Sequence, residues 1–233
     1  MDDLIDRCEE WKQCGYHHQL ELVDETDVKK YVNSEAYVGG LIDSGSGHIH
    51  PLNLCLGEAK AASELGVQIY ENTNAIEIAE GSPAKVLTEN GSIEADYIVI
   101  AANAYIGSLN NKLRRMVMPA ASCIIATEPL SDEQATKLMP SDMAVCDQNT
   151  ILDYYRLSAD KRMLFGGRFN YSGKIPSDER IKVEIKKRMV SVFPELSETK
   201  VDYGWSGNVA VSLKKIPQLG RLDDNIFYSQ GYS

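Results

Sequence analysis

Two hydrophobic periods run through this chain, and they divide it into elements. A spacing near 3.6 marks helices. Residues 2–14 are polar and helical in pattern, closing at Gly15, a residue suited to a helix C-terminus. Residues 24–33 carry Val28, Tyr31 and Val32 on one helical face. The clearest helix is "HPLNLCLGEAKAASELG", with His50 at the N-cap position, Pro51 at the first helical position and Gly66 as the stop. Its stripe of Leu52, Cys55, Leu56, Ala59 and Ala62 is expected to face a core. Ser131 to Gln134 form an S-x-x-Q capping box that opens a short helix ending before Pro140. "SDERIKVEIKKRMVSVF" turns Ile181, Ile185, Met189 and Val192 inward and is stopped by Pro194.

A second period, near two, marks strands. "AYVGGLID" reads as extended, and "VQIYE", "AIEIAE", "AKVLTE" and "SIEADYIVIAA" follow the long helix. Asn90-Gly91 is a hairpin signal. Ile98 to Ala101 is continuously apolar, which predicts burial on both faces. "ASCIIATEP" is a strand, and "TILDYYRLSADKRMLFGGR" is a hairpin about a polar turn at 158–161. "VDYGWSGNVAVS" and "NIFYSQGYS" are late strands. Helices and strands interleaved in this order predict a mixed α/β or α+β fold of two interwoven sub-regions.

Composition narrows the class. The chain has 233 residues, 43% apolar and 25% charged, as in ordinary globular proteins. No apolar run approaches the ~20 residues of a membrane span. The acidic opening "MDDLIDRCEE" has no apolar leader core. Five cysteines, odd in number and without a C-x-x-C pair, read as buried reduced thiols of a cytoplasmic protein. A net charge of −10 argues against nucleic acid or an anionic membrane surface as partner and is compatible with a cationic small molecule.

Several chemistries fail on residue type. "GSGHIH" begins like a dinucleotide fingerprint at Gly45 and Gly47, but its third glycine position holds His50, followed by Pro51. There is no G-x-x-x-x-G-K-[ST] phosphate loop and no G-x-S-x-G nucleophile turn. The four histidines (17, 18, 48 and 50) lack cysteine or carboxylate companions at ligand spacing, so no metal is expected. His50 reads as a cap or loop residue, with a catalytic base as the alternative. Tyr154 and Arg156 share one face of a strand. Such an arginine either clamps a carboxylate or merely decorates a sheet surface. Trp205, between Gly204 and Gly207, is either a core residue or a wall that something approaches closely.

Four segments taken together carry a resemblance: "YVGGLIDSGSGHIHPLNLCLGEAKAASELGVQIYENTNAIEI", "ADYIVIAANAY", "DYYRLSADKRMLFGGR" and "YGWSGNVAVSLKKIPQLGRLDDNIFYSQGYS". In that order they resemble the FAD-dependent amine and amino-acid oxidoreductases of the D-amino-acid oxidase superfamily, nearest to the gamma-glutamylputrescine-oxidising group. The resemblance implies a partial FAD domain of the glutathione-reductase type, interleaved with a substrate domain on an antiparallel sheet. Residues 1–50 would be outlying helices and a first strand of the substrate domain, 51–118 part of the FAD domain, 119–205 the substrate domain, and 206–233 a return to the FAD domain. It implies FAD as cofactor, with Ala75 near the adenine, Ala101 and Ala102 near the pyrophosphate, and Gly231, Tyr232 and Ser233 opening a flavin-facing loop. His50, Tyr155, Arg156 and Trp205 are the substrate-side candidates. The implied reaction oxidises a C–N bond of a small amine; hydride goes to flavin N5, the imine is hydrolysed and peroxide is released.

The chain departs from that pattern at its ends. A full G-x-G-x-x-G turn is absent, and the sequence stops where a Gly-His-Gly and a last helix would continue. A fragment is therefore expected. On its own it would hold FAD weakly, be inactive and self-associate through an open sheet edge. A non-catalytic remnant or interaction module with the same fold is the other reading.

Overall fold

The computed structural model describes residues 1–149, 152–170 and 175–232, without the side chains of 168–170. They form a mixed α/β fold that divides into two compact units. The first comprises Met1–Leu52, Cys123–Arg168 and Pro176–Trp205; the second comprises Asn53–Ser122, Phe169–Ile175 and Ser206–Ser233.

In the first unit, helix α1 (Asp2–Gln13) precedes an antiparallel pair, β1 (Leu20–Asp24) and β2 (Gly39–Asp43). The main sheet has the order β11-β7-β10-β9-β8. Its strands are β7 (Val117–Pro129), β8 (Val145–Cys146), β9 (Tyr154–Leu157), β10 (Arg162–Asn170) and β11 (Val201–Ser212). Strands β7 and β11 each run on from one unit into the other. Helix α5 (Asp178–Val192) puts Ile181, Ile185, Met189 and Val192 into the core, as its spacing predicts. They meet Tyr155, Leu157, Met163 and Phe165 from the β9–β10 hairpin and Leu138 from α4 (Asp132–Leu138). The capping box is formed: Ser131 Oγ accepts from Gln134 N at 3.1 Å, and Gln134 Oε1 accepts from Ser131 N at 3.2 Å. The hairpin turn closes at Ser158–Lys161, where Ser158 Oγ accepts from Arg162 N at 2.9 Å.

In the second unit, helix α2 (Pro51–Glu64) leads to a meander of β3 (Ala75–Ala79), β4 (Ala84–Thr88) and β5 (Gly91–Ala95). A further three-stranded sheet has the order β12-β13-β6, from β6 (Ile98–Ile100), β12 (Gln218–Asp223) and β13 (Ile226–Gln230). Strand β13 runs antiparallel to β12 and parallel to β6. Ala84, Ile98, Ile100, Ile106, Leu113 and Ile226 form the core. Helix α3 (Asn111–Arg114) supplies Leu113, and Asn110 Oδ1 caps it by accepting from Leu113 N at 3.0 Å.

Several expectations are corrected. Residues 24–33 are not a helix, because Asp24 Oδ1 takes the N–H groups of Thr26 and Asp27, both at 2.9 Å, and closes a side-chain turn instead. Only a single 3₁₀ turn, Val28–Lys30, follows. Val67–Glu71 joins no ladder among the described strands, although its composition is strand-like. The hairpin at Asn90-Gly91 exists, but its turn is Glu89–Asn90, since Gly91 already pairs with Thr88. The apolar run at 98–100 is buried on one face only, with Val99 66% exposed between Ile98 and Ile100. Helix α2 forms where expected, yet none of its residues is buried. Of the five cysteines, only Cys8 and Cys123 are buried. Strands β1 and β12 were not expected at all.

Truncating the first core has a defined cost. Ile185→Ala is expected to destabilise by about 2–5 kcal/mol, whereas exposed Lys187→Ala should stay within about 0.5 kcal/mol. Denaturant unfolding of the two variants checks this, and equal effects would contradict the placement of α5.

Candidate functional site

Alternation along β9 sorts its side chains. Tyr155 and Leu157 enter the core beside α5, so Tyr154 and Arg156 point to the opposite face of the sheet. Gly166 pairs with Tyr154, and the tyrosine ring lies over it: a Cβ on Gly166 would be 2.1 Å from that ring. On β11, a Cβ on Gly204 would meet Lys182 Cγ at 2.8 Å, so Gly204 is the point where α5 crosses the strand. Its neighbour Trp205 therefore points to the face of Tyr154 and Arg156, and is 42% exposed rather than in the core. Strands β11 and β9 lie three positions apart in the sheet order. Measured across the strands, β11 and β9 are thus roughly 14 Å apart.

Arg156 is held at one nitrogen. Its Nη1 donates to Leu157 O at 3.2 Å and lies 3.4 Å from His48 Nδ1. His48 Nε2 lies 3.1 Å from Asp142 O. A guanidinium only donates and a carbonyl only accepts. One tautomer satisfies both ends: neutral His48, protonated on Nε2 and accepting at Nδ1. Both of the arginine's hydrogen bonds among the described residues come from Nη1, which leaves Nη2 and Nε to an incoming anion.

Tyr155 is not part of that surface. It is 2% exposed, stacks on Phe165 at 5.2 Å, meets Phe193 edge-on at 5.2 Å, and donates to Tyr37 Oη at 2.8 Å. It packs beneath the sheet because strand neighbours point to opposite faces. His50 is an exposed loop residue ahead of α2, in the same unit as Arg156.

The second unit gathers another group. The parallel pair β6–β13 ends at Ile100 and Gln230, so the segments after both strands leave the same carboxyl edge. Ala101 and Ala102 follow β6; Gly231 and Tyr232 follow β13. Asn103 Oδ1 accepts from Gly231 N at 2.9 Å and ties the two segments together. Both residues adopt positive φ, 49° for Asn103 and 79° for Gly231, which asparagine and glycine tolerate best. Tyr105, in the 3₁₀ turn Asn103–Tyr105, accepts at Oη from Asn208 N at 3.0 Å. Nearby on β11, the buried oxygens Ser206 Oγ and Asn208 Oδ1 have no hydrogen-bond partner among the described residues. In open α/β sheets, ligands bind at the carboxyl ends of parallel strands. Two orphaned buried oxygens are unusual, since buried polar atoms are nearly always paired.

Ala75 sits at the start of β3, opposite Thr88, and no described contact joins it to Ala101, Ala102 or Gly231. Ser233 lies outside the described residues. Sequence reasoning passed over His48, Asn103, Tyr105 and Asn208. Asn103 carried a usable signal, a polar residue breaking an apolar run directly after a buried strand.

Comparison with known proteins gives a coherent picture. The model of the DAO family, "FAD dependent oxidoreductase", matches residues 1–233. The chain is 42% identical to gamma-glutamylputrescine oxidoreductase of Escherichia coli K12 over 232 residues, covering 99% of this chain and 54% of that protein. It is also 42% identical to a probable oxidoreductase, OrdL, of Haemophilus influenzae, covering 100% of this chain and 54% of that protein. The chain spans about half the length of these curated relatives. Among solved structures, glycine oxidase from Geobacillus kaustophilus superposes with a TM-score of 0.82 at 21% identity, covering 99% of this chain and 62% of that one. No described helix is long and apolar enough to cross a membrane.

The buried phenols make an alkaline test. Burial pushes Tyr37 up to about 12 and raises Tyr155 further. A group raised in the folded state contributes stability that is complete below its ordinary pKa of 10 and lost as pH rises through the folded value. Stability should therefore fall between pH 10 and about 12, and the paired Tyr37→Phe, Tyr155→Phe variant should flatten that limb. Tyrosinate absorbance followed alongside unfolding checks it; ionisation of all twelve tyrosines without unfolding would contradict it.

Proposed function

The chain belongs to the DAO family of FAD-dependent oxidoreductases, and we propose that it forms part of an enzyme oxidising a small amine that also carries a carboxylate. A gamma-glutamylputrescine-like compound is the reading its relatives favour. The observation that carries the proposal is Arg156: a guanidinium on the sheet face opposite the α5 core, fixed among the described residues through Nη1 alone.

Each part of the chain has a stated task. Arg156 binds the substrate carboxylate in two-point fashion through Nη2 and Nε. His48 keeps the guanidinium oriented, so less freedom is lost on binding. Tyr154 and Trp205 offer flat apolar walls on the same face. In the second unit, Ala101 to Asn103 and Gly231 to Tyr232 would hold FAD, with Ser206 Oγ and Asn208 Oδ1 as polar partners. Bound FAD supplies the acceptor for the hydride that leaves the carbon next to nitrogen. The amine must be neutral at that moment, and water can take its proton.

The decisive comparison uses two amines on a protein of the relatives' length that contains this chain. Arg156→Ala should raise KM for gamma-glutamylputrescine far more than for putrescine, which has no carboxylate. A charge-assisted hydrogen bond is worth about 1.5–3 kcal/mol, or about 10- to 150-fold. His48→Ala should move KM in the same direction by a smaller factor, with kcat little changed. Equal losses on both amines would make Arg156 a structural residue. An absence of peroxide from every amine tried, with flavin bound, would remove the oxidase reading.

A further inference from the structure

A separate pocket lies in the first unit, where the end of α1 meets the end of β2. It is an open surface groove of about 360 Å³, lined by Trp11, Cys14, Gly15, Tyr16, Asp43 and Ser46. None of these residues belongs to the Arg156 face or to the β6–β13 edge. Gly15, at φ 83°, turns the chain so that Tyr16 N donates to Trp11 O at 3.0 Å. The two rings then stand 5.6 Å apart, inclined at 58°. His18 backs the tyrosine at 5.1 Å, also at 58°. Inclined aromatic rings beside a carboxylate at the tyrosine's hydroxyl end present ring faces and an anion that both favour positive charge.

The state of the carboxylate specifies the cation. Asp43 Oδ1 accepts from Tyr16 Oη at 2.8 Å and from Gly45 N at 2.9 Å. Asp43 Oδ2 accepts from Tyr16 Oη at 2.8 Å and from Ser46 Oγ. An ionised carboxylate offers about four lone-pair directions, two on each oxygen. The single Tyr16 O–H is shared between the two oxygens, so three hydrogens engage the carboxylate and about one lone-pair direction stays open. These bonds, Ser46's foremost, hold the Asp43 carboxyl below the usual carboxylate range, so it remains charged near neutrality. The pocket thus presents negative charge with about one open acceptor direction. A primary ammonium would bring three N–H groups and find little to receive them. An ammonium ion whose nitrogen is fully alkylated needs no acceptor and loses nothing.

We propose that the Trp11–Tyr16–Asp43 pocket binds an N-alkylated ammonium ion of the quaternary class, at a site distinct from the one that binds the oxidised amine. The proposal does not rest on the oxidase reading, and its test involves no turnover. The chain has two tryptophans, so Trp205→Phe leaves Trp11 as sole fluorescent reporter. Choline is titrated into that variant and compared with its neutral carbon isostere, in which a tert-butyl group replaces trimethylammonium. A saturable change in Trp11 emission is expected with choline, with the isostere about tenfold weaker. Asp43→Asn should erase most of that difference. Should that variant fail to fold, Tyr16→Phe is the second test. It returns lone pairs to Asp43 while keeping an aromatic wall, and should narrow the preference for choline over methylammonium. No saturable response to choline, equal binding of the isostere, or an unchanged choline preference in Tyr16→Phe would each overturn the proposal.

Discussion

The parallel ladder between β6 and β13 is the constraint on which the chain's organisation depends. Parallel neighbours cannot be joined by a tight turn and need a crossover. Here the crossover is the whole segment between Ile100 and Ile226, and it contains most of the first unit. The second unit therefore completes its sheet only when the chain returns. The same pairing places two chain ends at one carboxyl edge, and the Asn103–Gly231 hydrogen bond, between residues 128 apart in sequence, holds them there. Asn225 fixes the opposite end of the ladder: its Nδ2 donates to Gly81 O at 2.9 Å and to Asp96 O at 3.0 Å, and its carbonyl accepts from Ile98 N at 2.9 Å. Buried Gln230 donates to Leu113 O and to Gln218 Oε1, so the last residue of β13 leaves no orphaned amide.

The first unit solves a different problem. Its sheet is covered on one face by α5 and α4, and strand alternation commits every second residue of β9 to that core. Tyr155 is consumed by packing, and Arg156 is thereby delivered to the other face. The arginine's position is a by-product of the core's demand for its neighbour. Its orientation is set from outside the sheet, by a loop histidine whose tautomer is fixed by a backbone carbonyl. Scaffold and loop divide the work: the strand fixes where the charge sits, and the loop fixes which way it points.

Much of this was legible in the sequence, for physical reasons that differ by element. Helix α5 and the capping box were read correctly because local spacing and local hydrogen bonds decide them. The family was legible because four segments occur in order along the chain. The misses come from competition that local pattern does not display. Asp24 had a side chain able to take the N–H groups that a helix would have left open. Val67–Glu71 has strand composition, but a ladder needs a neighbour. Val99 sits in an apolar run whose face depends on which strands surround it. Of the candidate site, Arg156 was singled out by residue type and strand position, and Gly231 by the family resemblance. His48 and Asn103 were not, since what they do depends on partners far away in the chain.

The account's central claim is that the carboxyl edge of the β6–β13 pair is a cofactor edge. Hydrogen exchange measures it most directly, on a polypeptide of the relatives' length that contains this chain, with and without FAD. The account predicts added protection at residues 101–105 and at Gly231 and Tyr232 when FAD binds, with the β1–β2 pair unchanged. Unaltered exchange at those residues, in a protein that demonstrably holds FAD, would contradict it.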